Sequence, residues 1–295
     1  MFTLAHLSDP HLPLPRPPLG ALLGKRALGY LSWQRRRKAI HRPEVLAALV
    51  ADVHAQRPDH IAVTGDLCNI SLAAEFRQAG AWLEGLGAPT EVSVVPGNHD
   101  TYVRNRAADG LDLWAPFMTG DGAKPGFPWV RVRGAVALVG VSTAAPMSWI
   151  SAGGIVGPEQ TAAAERMLAR LGADGLCRVL LIHHPPIDRG PRRKRLIDIE
   201  PFAAAVGRAG VELILHGHTH VAGLDRLPTV AGEAPVIGVP SGSARPVRHA
   251  QPAGWNLYRI ARAGAGFALR VTTRGLVEGR FAELADYHLR TVGPS

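Results

Sequence analysis

The sequence VSVVPGNHD, residues 92–100, joins a short strand to a turn rich in reactive side chains. Its first four residues form an apolar, mostly β-branched run, which is typical of a buried strand. A Pro-Gly pair ends that run, and Asn98, His99 and Asp100 follow at once. In open α/β sheets, ligands bind outside the carboxyl ends of the strands. The stretch therefore predicts a functional site at the end of a central strand.

The same pattern, an apolar run followed by residues that can bind metals, occurs at four other points of the chain. These are Phe2–Ser8 before Asp9-Pro10-His11, His60–Thr64 before Gly65-Asp66, Arg178–Ile182 before His183-His184, and Val211–Leu215 before the residues His216 to His220. In extended chain, residues two apart point to the same side. The pairs Asp9 with His11 and His218 with His220 can therefore each bind from one strand end.

Carboxylate, amide and imidazole groups suit first-row divalent metals, and the lack of thiolates in this set argues against a structural zinc finger. The set is too large for one ion and suits two, with Asp66 as the candidate bridging ligand. The candidate ligands are Asp9, His11, Asp66, Asn98, His183, His218 and His220. Two metals can clamp an in-line phosphoryl displacement and supply a hydroxide nucleophile at neutral pH. His99 is then the candidate general acid, and Asp100 the candidate residue to orient it.

Periodicity elsewhere favours an α/β protein made of two sheets with flanking helices, because strands alternate with helices through residue 215 and then follow one another. Helices are predicted at 42–56, with Pro43 near the start, at 71–86, with Ser71 as the N-cap, and at 158–171 and 199–208; further strands are predicted at 136–142, 236–239, 255–260 and 267–273. Residues 101–134 are predicted to be a loop. We expect one domain over residues 1–295, with an inserted segment at about 12–42 and a β-rich part at about 235–275.

The five motifs together resemble the signature of the calcineurin-like metallophosphoesterase superfamily, and within it the bacterial class III cyclic-nucleotide phosphodiesterases and glycerophosphodiesterases. The resemblance extends over residues 9–220. It implies a four-layer αββα sandwich of two mixed sheets and two divalent metal ions, Mn, Fe or Zn. It also implies that Asp9, His11, Asp66 and His220 hold one metal, that Asp66, Asn98, His183 and His218 hold the other, and that His99 is the general acid or transition-state stabiliser. His184, beside a ligand, is interpreted as a packing or supporting residue.

The substrate is left open by the inserted segment, in which Leu19–Lys38 is both basic and apolar. One hypothesis is a hydrolase of small phosphodiesters. The alternative is a membrane-surface hydrolase of a lipid-linked pyrophosphate or phosphodiester such as UDP-diacylglucosamine, with residues 19–38 lying as an amphipathic helix on an anionic membrane. The other interpretation of this segment is a helix packed on the domain with its arginines outward. Tyr102, Arg104 and Arg245 are candidate substrate-binding residues, and a non-catalytic scaffold is the remaining alternative.

Composition restricts the other options. The chain has 295 residues and a formal net charge of +9, which favours phosphate-bearing partners, but its basic clusters lack the aromatic or recognition-helix patterns of a specific nucleic-acid binder. Neither a membrane span nor a signal peptide is indicated, so we expect a cytoplasmic protein, peripheral to the inner membrane if the lipid hypothesis holds. Cys68 and Cys177 are expected to be buried thiols rather than a disulfide. A homo-oligomer is compatible with the sequence.

Overall fold

Two six-stranded sheets form the centre of the structure. This computed structural model describes residues 1–248 and 250–291, without the side chains of residues 290 and 291. The strands are β1 (Phe2–Leu7), β2 (His60–Val63), β3 (Val92–Val94), β4 (Trp129–Arg133), β5 (Val136–Gly140), β6 (Cys177–Leu181), β7 (Leu213–His216), β8 (Gly223–Thr229), β9 (Gly232–Gly238), β10 (Gly254–Ala263), β11 (Gly266–Val277) and β12 (Arg280–Thr291). The first sheet has the order β12-β11-β10-β1-β2-β3 and the second the order β4-β5-β6-β7-β9-β8.

Helices cover the outer face of each sheet. They are α1 (Lys25–Ser32), α2 (Lys38–Ile40), α3 (Pro43–Ala55), α4 (Ala73–Leu86), α5 (Pro158–Ala173) and α6 (Ile199–Ala209), with a π-helical turn at Trp33–Arg37 and short 3-10 turns at Leu19–Leu22, Ala107–Asp109, Leu111–Phe117 and Arg192–Lys194. Leu49 of α3 and Leu83 of α4 are buried on the first sheet, and Leu168 of α5 and Phe202 of α6 on the second. A further apolar cluster, which contains Val179, lies between the sheets. The result is the predicted four-layer αββα sandwich.

Parallel pairing brings the motif-bearing strand ends together. Strands β1, β2 and β3 are mutually parallel neighbours, as are β5, β6, β7 and β9. The carboxyl ends of several strands therefore lie at one edge of each sheet. The five motifs come together when these edges of the two sheets lie side by side.

Three strands were not predicted, because their sequences lack an apolar run. β4, within the predicted loop, alternates apolar residues with arginines and pairs antiparallel with β5. β8 contains Pro228, which an edge strand tolerates. β12 is rich in charged residues and also lies at a sheet edge, so the β-rich part extends to residue 291 rather than 275.

The N-cap prediction for α4 was wrong by one residue. The helix begins after Leu72, whose backbone N–H donates to the Glu75 carboxylate at 2.9 Å. The Ser71 hydroxyl instead donates to the His99 carbonyl at 2.8 Å and accepts from the Tyr102 N–H at 2.7 Å. Ser71 therefore joins the start of α4 to the turn that follows β3.

The inserted segment is helical and packs on the domain, with Arg35 and Arg36 exposed as the packed interpretation expects, but not all of its arginines face outward. Arg26 and Arg37 point inward, where they bond to Ser71 and His99, whereas Leu19 and Leu23 are 88% and 78% exposed. No helix among the described residues has the length and apolar character needed to cross a membrane. Cys68 and Cys177 are both buried and free, as expected.

Candidate active site

The five motifs meet at one edge of the sandwich. The backbone N–H of Asp9 donates to Gly65 O at 3.0 Å, which joins the ends of β1 and β2. The Gly217 N–H donates to His183 O at 3.2 Å, which joins the ends of β6 and β7. The His183 ring crosses between the sheets, where Nδ1 donates to Thr64 O at 2.6 Å. Residues more than a hundred positions apart in the chain thus become neighbours.

One group of ligand atoms comes from four of the predicted residues. A carboxylate oxygen or ring nitrogen from each of Asp9, His11, Asp66 and His220 lies within 4.8 Å of the others. Nε2 of His220 is 3.1 Å from Asp9 Oδ1 and 3.4 Å from Nε2 of His11. The convergence of two ring nitrogens and two carboxylates on one point is the donor set that a divalent cation prefers.

A second group shares Asp66 with the first. His183 Nε2 lies 3.5 Å from Asp66 Oδ2 and 3.2 Å from Asn98 Oδ1. His218 Nδ1 lies 2.9 Å from the same Asn98 oxygen. The seven predicted ligands thus form two adjoining groups around one buried carboxylate.

The surroundings of these side chains suit metal binding. The Nδ1–H groups of His11 and His183 donate to the carbonyls of Cys68 (3.2 Å) and Thr64, which leaves the Nε2 lone pair of each ring facing the site. Of the seven buried side-chain atoms without a hydrogen-bond partner among the described residues, two belong to predicted ligands, Asp9 Oδ1 and His218 Nε2. Because buried polar atoms are normally satisfied, unpaired acceptors beside a cluster of imidazoles indicate a cation site.

Backbone strain marks the same residues. Eight non-glycine residues of the described chain have positive φ, and five of them are predicted ligands. These five are Asp9, His11, Asp66, His218 and His220, with φ between 38° and 64°. Such conformations cost free energy and concentrate at functional sites. The backbone at the strand ends therefore adopts a conformation that is locally unfavourable but positions the predicted ligands.

The charges of the site favour a cation as well. Although burial opposes ionisation, attraction to His183 and His99 holds the pKa of Asp66 well below its usual range. Burial likewise opposes protonation of His183, but the Asp66 carboxylate raises its pKa to about 9. A divalent cation beside Asp66 would compete with a proton for the Nε2 lone pair of His183.

His99 and Asp100 have different positions relative to this centre. The His99 backbone N–H donates to Asp66 Oδ1 at 2.7 Å, and its ring lines the cleft. Nδ1 of that ring donates to Asn69 O at 2.7 Å. The Asp100 carboxylate instead accepts backbone N–H groups of Asp66 (2.9 Å), Cys68 (2.8 Å) and Gly97 (2.8 Å). The expectation that Asp100 orients the His99 ring is therefore corrected: Asn69 O orients the ring, and Asp100 fixes the two turns that carry Asp66 and Asn98.

The three candidate substrate-binding residues lie outside the main cleft. Tyr102 stacks on the His99 ring with 5.8 Å between centroids, and Lys25 Nζ lies 4.3 Å above the Tyr102 ring. Arg104 is exposed and lines a neighbouring cavity of about 360 Å³. Arg245 is exposed, and its backbone N–H donates to Ile40 O at 2.9 Å. Tyr102 thus supports the His99 ring and the Arg245 backbone supports Ile40 at the cleft, while Arg104 lines the neighbouring cavity.

Two polar residues of the inserted segment line the cleft and were not predicted from the sequence. Arg37 Nη1 lies 3.0 Å from His99 Nε2, and the His41 ring lies 4.4 Å from that of His11, centroid to centroid. Both line a cleft of about 350 Å³ together with Asp66, Asn98 and His99. Burial, followed by the charges of His220 and Arg37, lowers the pKa of His41 to about 3, so this ring is neutral. The sequence signal that could have identified Arg37 and His41 is the stretch after the first ligands that contains basic but no acidic residues.

His184 lies next to a ligand but has no lone pair to offer. Its Nε2–H donates to Ala152 O at 3.0 Å, and its Nδ1 accepts from the Thr143 hydroxyl at 2.7 Å. Both nitrogens are therefore used by the protein, in agreement with the supporting position expected from the sequence.

A buried set of carboxylate, amide and imidazole ligands at the strand ends of an αββα sandwich is the arrangement of a metal-dependent hydrolase. Comparison with known proteins agrees with this class. The family model of calcineurin-like phosphoesterases matches residues 2–222, and the chain belongs to that family. It is a metal-dependent phosphoester hydrolase.

The individual proteins that the chain resembles have low sequence identity to it. A probable cyclic nucleotide phosphodiesterase of Synechococcus sp. is 25% identical over 223 residues, which are 74% of this chain and 78% of the relative. A dimetal phosphatase from Danio rerio superposes with a TM-score of 0.65 at 14% identity, over 98% of this chain and 99% of that one. A purple acid phosphatase from yellow lupin gives a TM-score of 0.59 at 13% identity, over 98% of this chain and 53% of that one. At these identities the two structures support the fold alone.

Proposed function

We propose that this protein hydrolyses small phosphodiesters, of the cyclic-nucleotide or glycerophosphodiester type, with two divalent metal ions. The observation that carries the proposal is the pair of ligand groups that share Asp66. Asp9, His11, Asp66 and His220 would hold one ion, and Asp66, Asn98, His183 and His218 the other. When bound, such ions activate a water molecule and polarise the phosphoryl oxygens.

The protein groups around the ions have separable tasks. The Asp66 carboxylate, held by the His99 N–H, is fixed between the two ligand groups. The His99 ring, held by Asn69 O, presents its remaining nitrogen to the cleft, where a leaving-group oxygen can be hydrogen-bonded. The resemblance to a probable cyclic nucleotide phosphodiesterase favours a diester as substrate. The open cleft, which the inserted segment walls on one side, admits a small diester.

The test is a substrate panel on protein reconstituted with Mn²⁺. We expect bis-p-nitrophenyl phosphate, cyclic AMP or glycerophosphocholine to be cleaved faster than p-nitrophenyl phosphate, a monoester. Asn98→Ala and His99→Ala should each lower kcat by about 100-fold or more, whereas His54→Ala, an exposed histidine on α3, should leave it unchanged. Cleavage of the monoester alone, or equal activity of all variants, would refute the proposal.

A second candidate substrate class is a lipid-linked phosphoester bound at a membrane surface. It is favoured by the exposed leucines of the inserted segment, Leu19 and Leu23, because this same segment lines the cleft through Arg37. Lys25 Nζ donates to Met147 O at 3.1 Å, two residues before Trp149. Trp149 is itself 61% exposed. The apolar side chains are thus exposed on two segments that line the cleft elsewhere, through Arg37 and Ala152.

Flotation with liposomes distinguishes the two candidates. The lipid candidate predicts that the protein floats with vesicles containing phosphatidylglycerol and that the double variant Leu19→Ser, Leu23→Ser does not. Val230→Ser, which changes an equally exposed residue far along the chain, is the matched control. Absence of flotation by the wild-type protein would remove the lipid candidate and leave the small-diester proposal standing.

A further inference from the structure

The inserted segment places an arginine in the site without a carboxylate partner. Arg37 Nη1 lies 3.0 Å from both ring nitrogens of His99, and its Nη2 makes only a long contact of 3.5 Å to Gly29 O. Because Nη1 is equally distant from both nitrogens of one ring, it lies over the ring rather than along the Nε2 lone pair, while Nδ1 of His99 donates to Asn69 O. A guanidinium has five N–H donors, so most of them are left for another acceptor.

Two arginines that are more deeply buried than Arg37, Arg178 and Arg131, have fuller sets of hydrogen-bond partners. Arg178 pairs with Glu212, whose carboxylate it meets with both Nε and Nη2. Arg131 has no carboxylate partner, but it donates to several backbone carbonyls, among them Thr119 O and Pro116 O at 2.8 and 2.7 Å. Among the described residues, Arg37 has neither kind of partner set. Arg37 is partly buried, and withdrawing a charge from water is costly unless an anion pairs with it.

The backbone around Arg37 is fixed in place. Arg26, earlier in the segment, donates to Ile70 O (3.2 Å), Ser71 O (2.7 Å) and Asn105 Oδ1 (2.7 Å). Beyond Arg37, the Arg42 N–H donates to Ser243 O at 2.8 Å. The guanidinium is therefore positioned before any ligand arrives, which favours tight binding.

The π-helical turn Trp33–Arg37 is the local device that directs this side chain inward. Lys38 N–H bonds to Trp33 O, five residues earlier, which inserts one extra residue into the turn. Such bulges occur frequently at functional sites. Arg35 and Arg36, on the same turn, are exposed.

We propose that Arg37 binds a non-bridging oxygen of the substrate phosphate, so that the inserted segment is a part of the substrate site and not only a cover. The proposal rests on the proposed function, in that a phosphoester occupies this cleft. The fork of N–H donors on a guanidinium matches the oxygens of a phosphate group. In the structure this fork lines the same cleft as Asp66 and Asn98, where the metal ligands meet.

The test measures the affinity of Mn²⁺-loaded protein for inorganic phosphate by calorimetry, which requires no turnover. Arg37→Ala is expected to weaken phosphate binding by about 10- to 100-fold, and Arg37→Lys by less. Arg36→Ala removes the same charge from the outward side of the turn and should change the phosphate affinity by less than about twofold. Bound Mn²⁺ per chain should be equal in all three variants. Unchanged phosphate affinity in Arg37→Ala would overturn the proposal.

A crystal of the wild-type protein with phosphate covers the case in which Arg37→Ala does not fold. Phosphate oxygens within hydrogen-bond distance of the Arg37 guanidinium support the proposal, and phosphate bound with Arg37 still confined to His99 overturns it. The two proposals fail differently. Phosphate binding that depends on Arg37, without cleavage of any diester, contradicts the proposed function only; normal KM and phosphate affinity in Arg37→Ala contradict this inference only.

Discussion

Gly97→Ala tests whether the backbone must approach the Asp66 carboxylate as closely as the structure shows. A Cβ added at Gly97 would lie 2.2 Å from Asp66 Oδ1 and 2.7 Å from His183 Cε1. Since a Cβ does not approach heavy atoms within about 3.0 Å, the carboxylate oxygen has to retreat by about 0.8 Å. A misplacement of ~1 Å in an active site costs ~10²-fold in rate, or ~2.7 kcal/mol. Overpacking should also lower the free energy of unfolding by about 1–3 kcal/mol.

The assay compares kcat/KM for a diester, bound Mn²⁺ per chain and urea denaturation in Gly97→Ala and in a control. Gly85→Ala is suitable as the control because Gly85 lies in α4 with nothing within 4 Å of an added Cβ. It should keep full activity and gain about 1 kcal/mol of stability. If Gly97→Ala binds two Mn²⁺ ions and retains kcat/KM within about threefold of the wild type, the close packing of Gly97 against Asp66 is not what positions the ligands.

Other substitutions test the supporting structure. Glu212→Gln leaves the Arg178 charge without its carboxylate partner, and both side chains are only 4% exposed. Urea denaturation should therefore show a free energy of unfolding lower by about 3–5 kcal/mol. A decrease below about 1 kcal/mol would contradict a tight buried pair. Asp100→Asn removes charge-assisted acceptors from the two ligand-bearing turns and should weaken Mn²⁺ binding by about 10- to 100-fold in a competition titration; unchanged affinity would show that the turns hold without it. Burial, followed by the charges of Arg133 and Arg131, lowers the pKa of His60 to about 3, so below pH 6.5 only the unfolded chain takes up its proton. Stability should therefore fall as the pH falls, by about 1.4 kcal/mol per pH unit for this residue, and His60→Gln should flatten that slope; an identical pH dependence in the variant would refute the assignment.

The strand-end chemistry was readable in the sequence because its signal is local. Each motif follows an apolar run, and parallel pairing within each sheet then brings the ends to one edge without further information. The two-sheet sandwich follows from the same alternation of strands and helices. Burial of an apolar run is the dominant stabilising term for such strands, so the pattern that predicts them is also what forms them.

The missed elements are those stabilised by their neighbours. β4 and β12 carry alternating charges, and β12 is held to β11 by the Arg270–Asp286 pair at 2.6 Å and by its ladder. Neither has a hydrophobic run that periodicity could detect. Sheet pairing with a strand already in place, rather than intrinsic preference, decides their conformation.

Arg37 and His41 were missed for a related reason. They follow no strand, and only the tertiary contacts of the segment bring them to the cleft, such as the bond from His41 to Ser243 Oγ at 2.9 Å. The hydrogen-bond partners of Asp100 also could not be predicted from the sequence. A carboxylate beside a histidine suggests a pair, but here the carboxylate is taken by three backbone N–H groups.

Anomalous diffraction from a crystal grown with Mn²⁺ tests the two-metal centre most directly. We expect two peaks about 3.5–4 Å apart on either side of Asp66. One should be bounded by Asp9, His11 and His220, and the other by Asn98, His183 and His218. A single peak, or manganese bound away from Asp66, would contradict the two-metal centre.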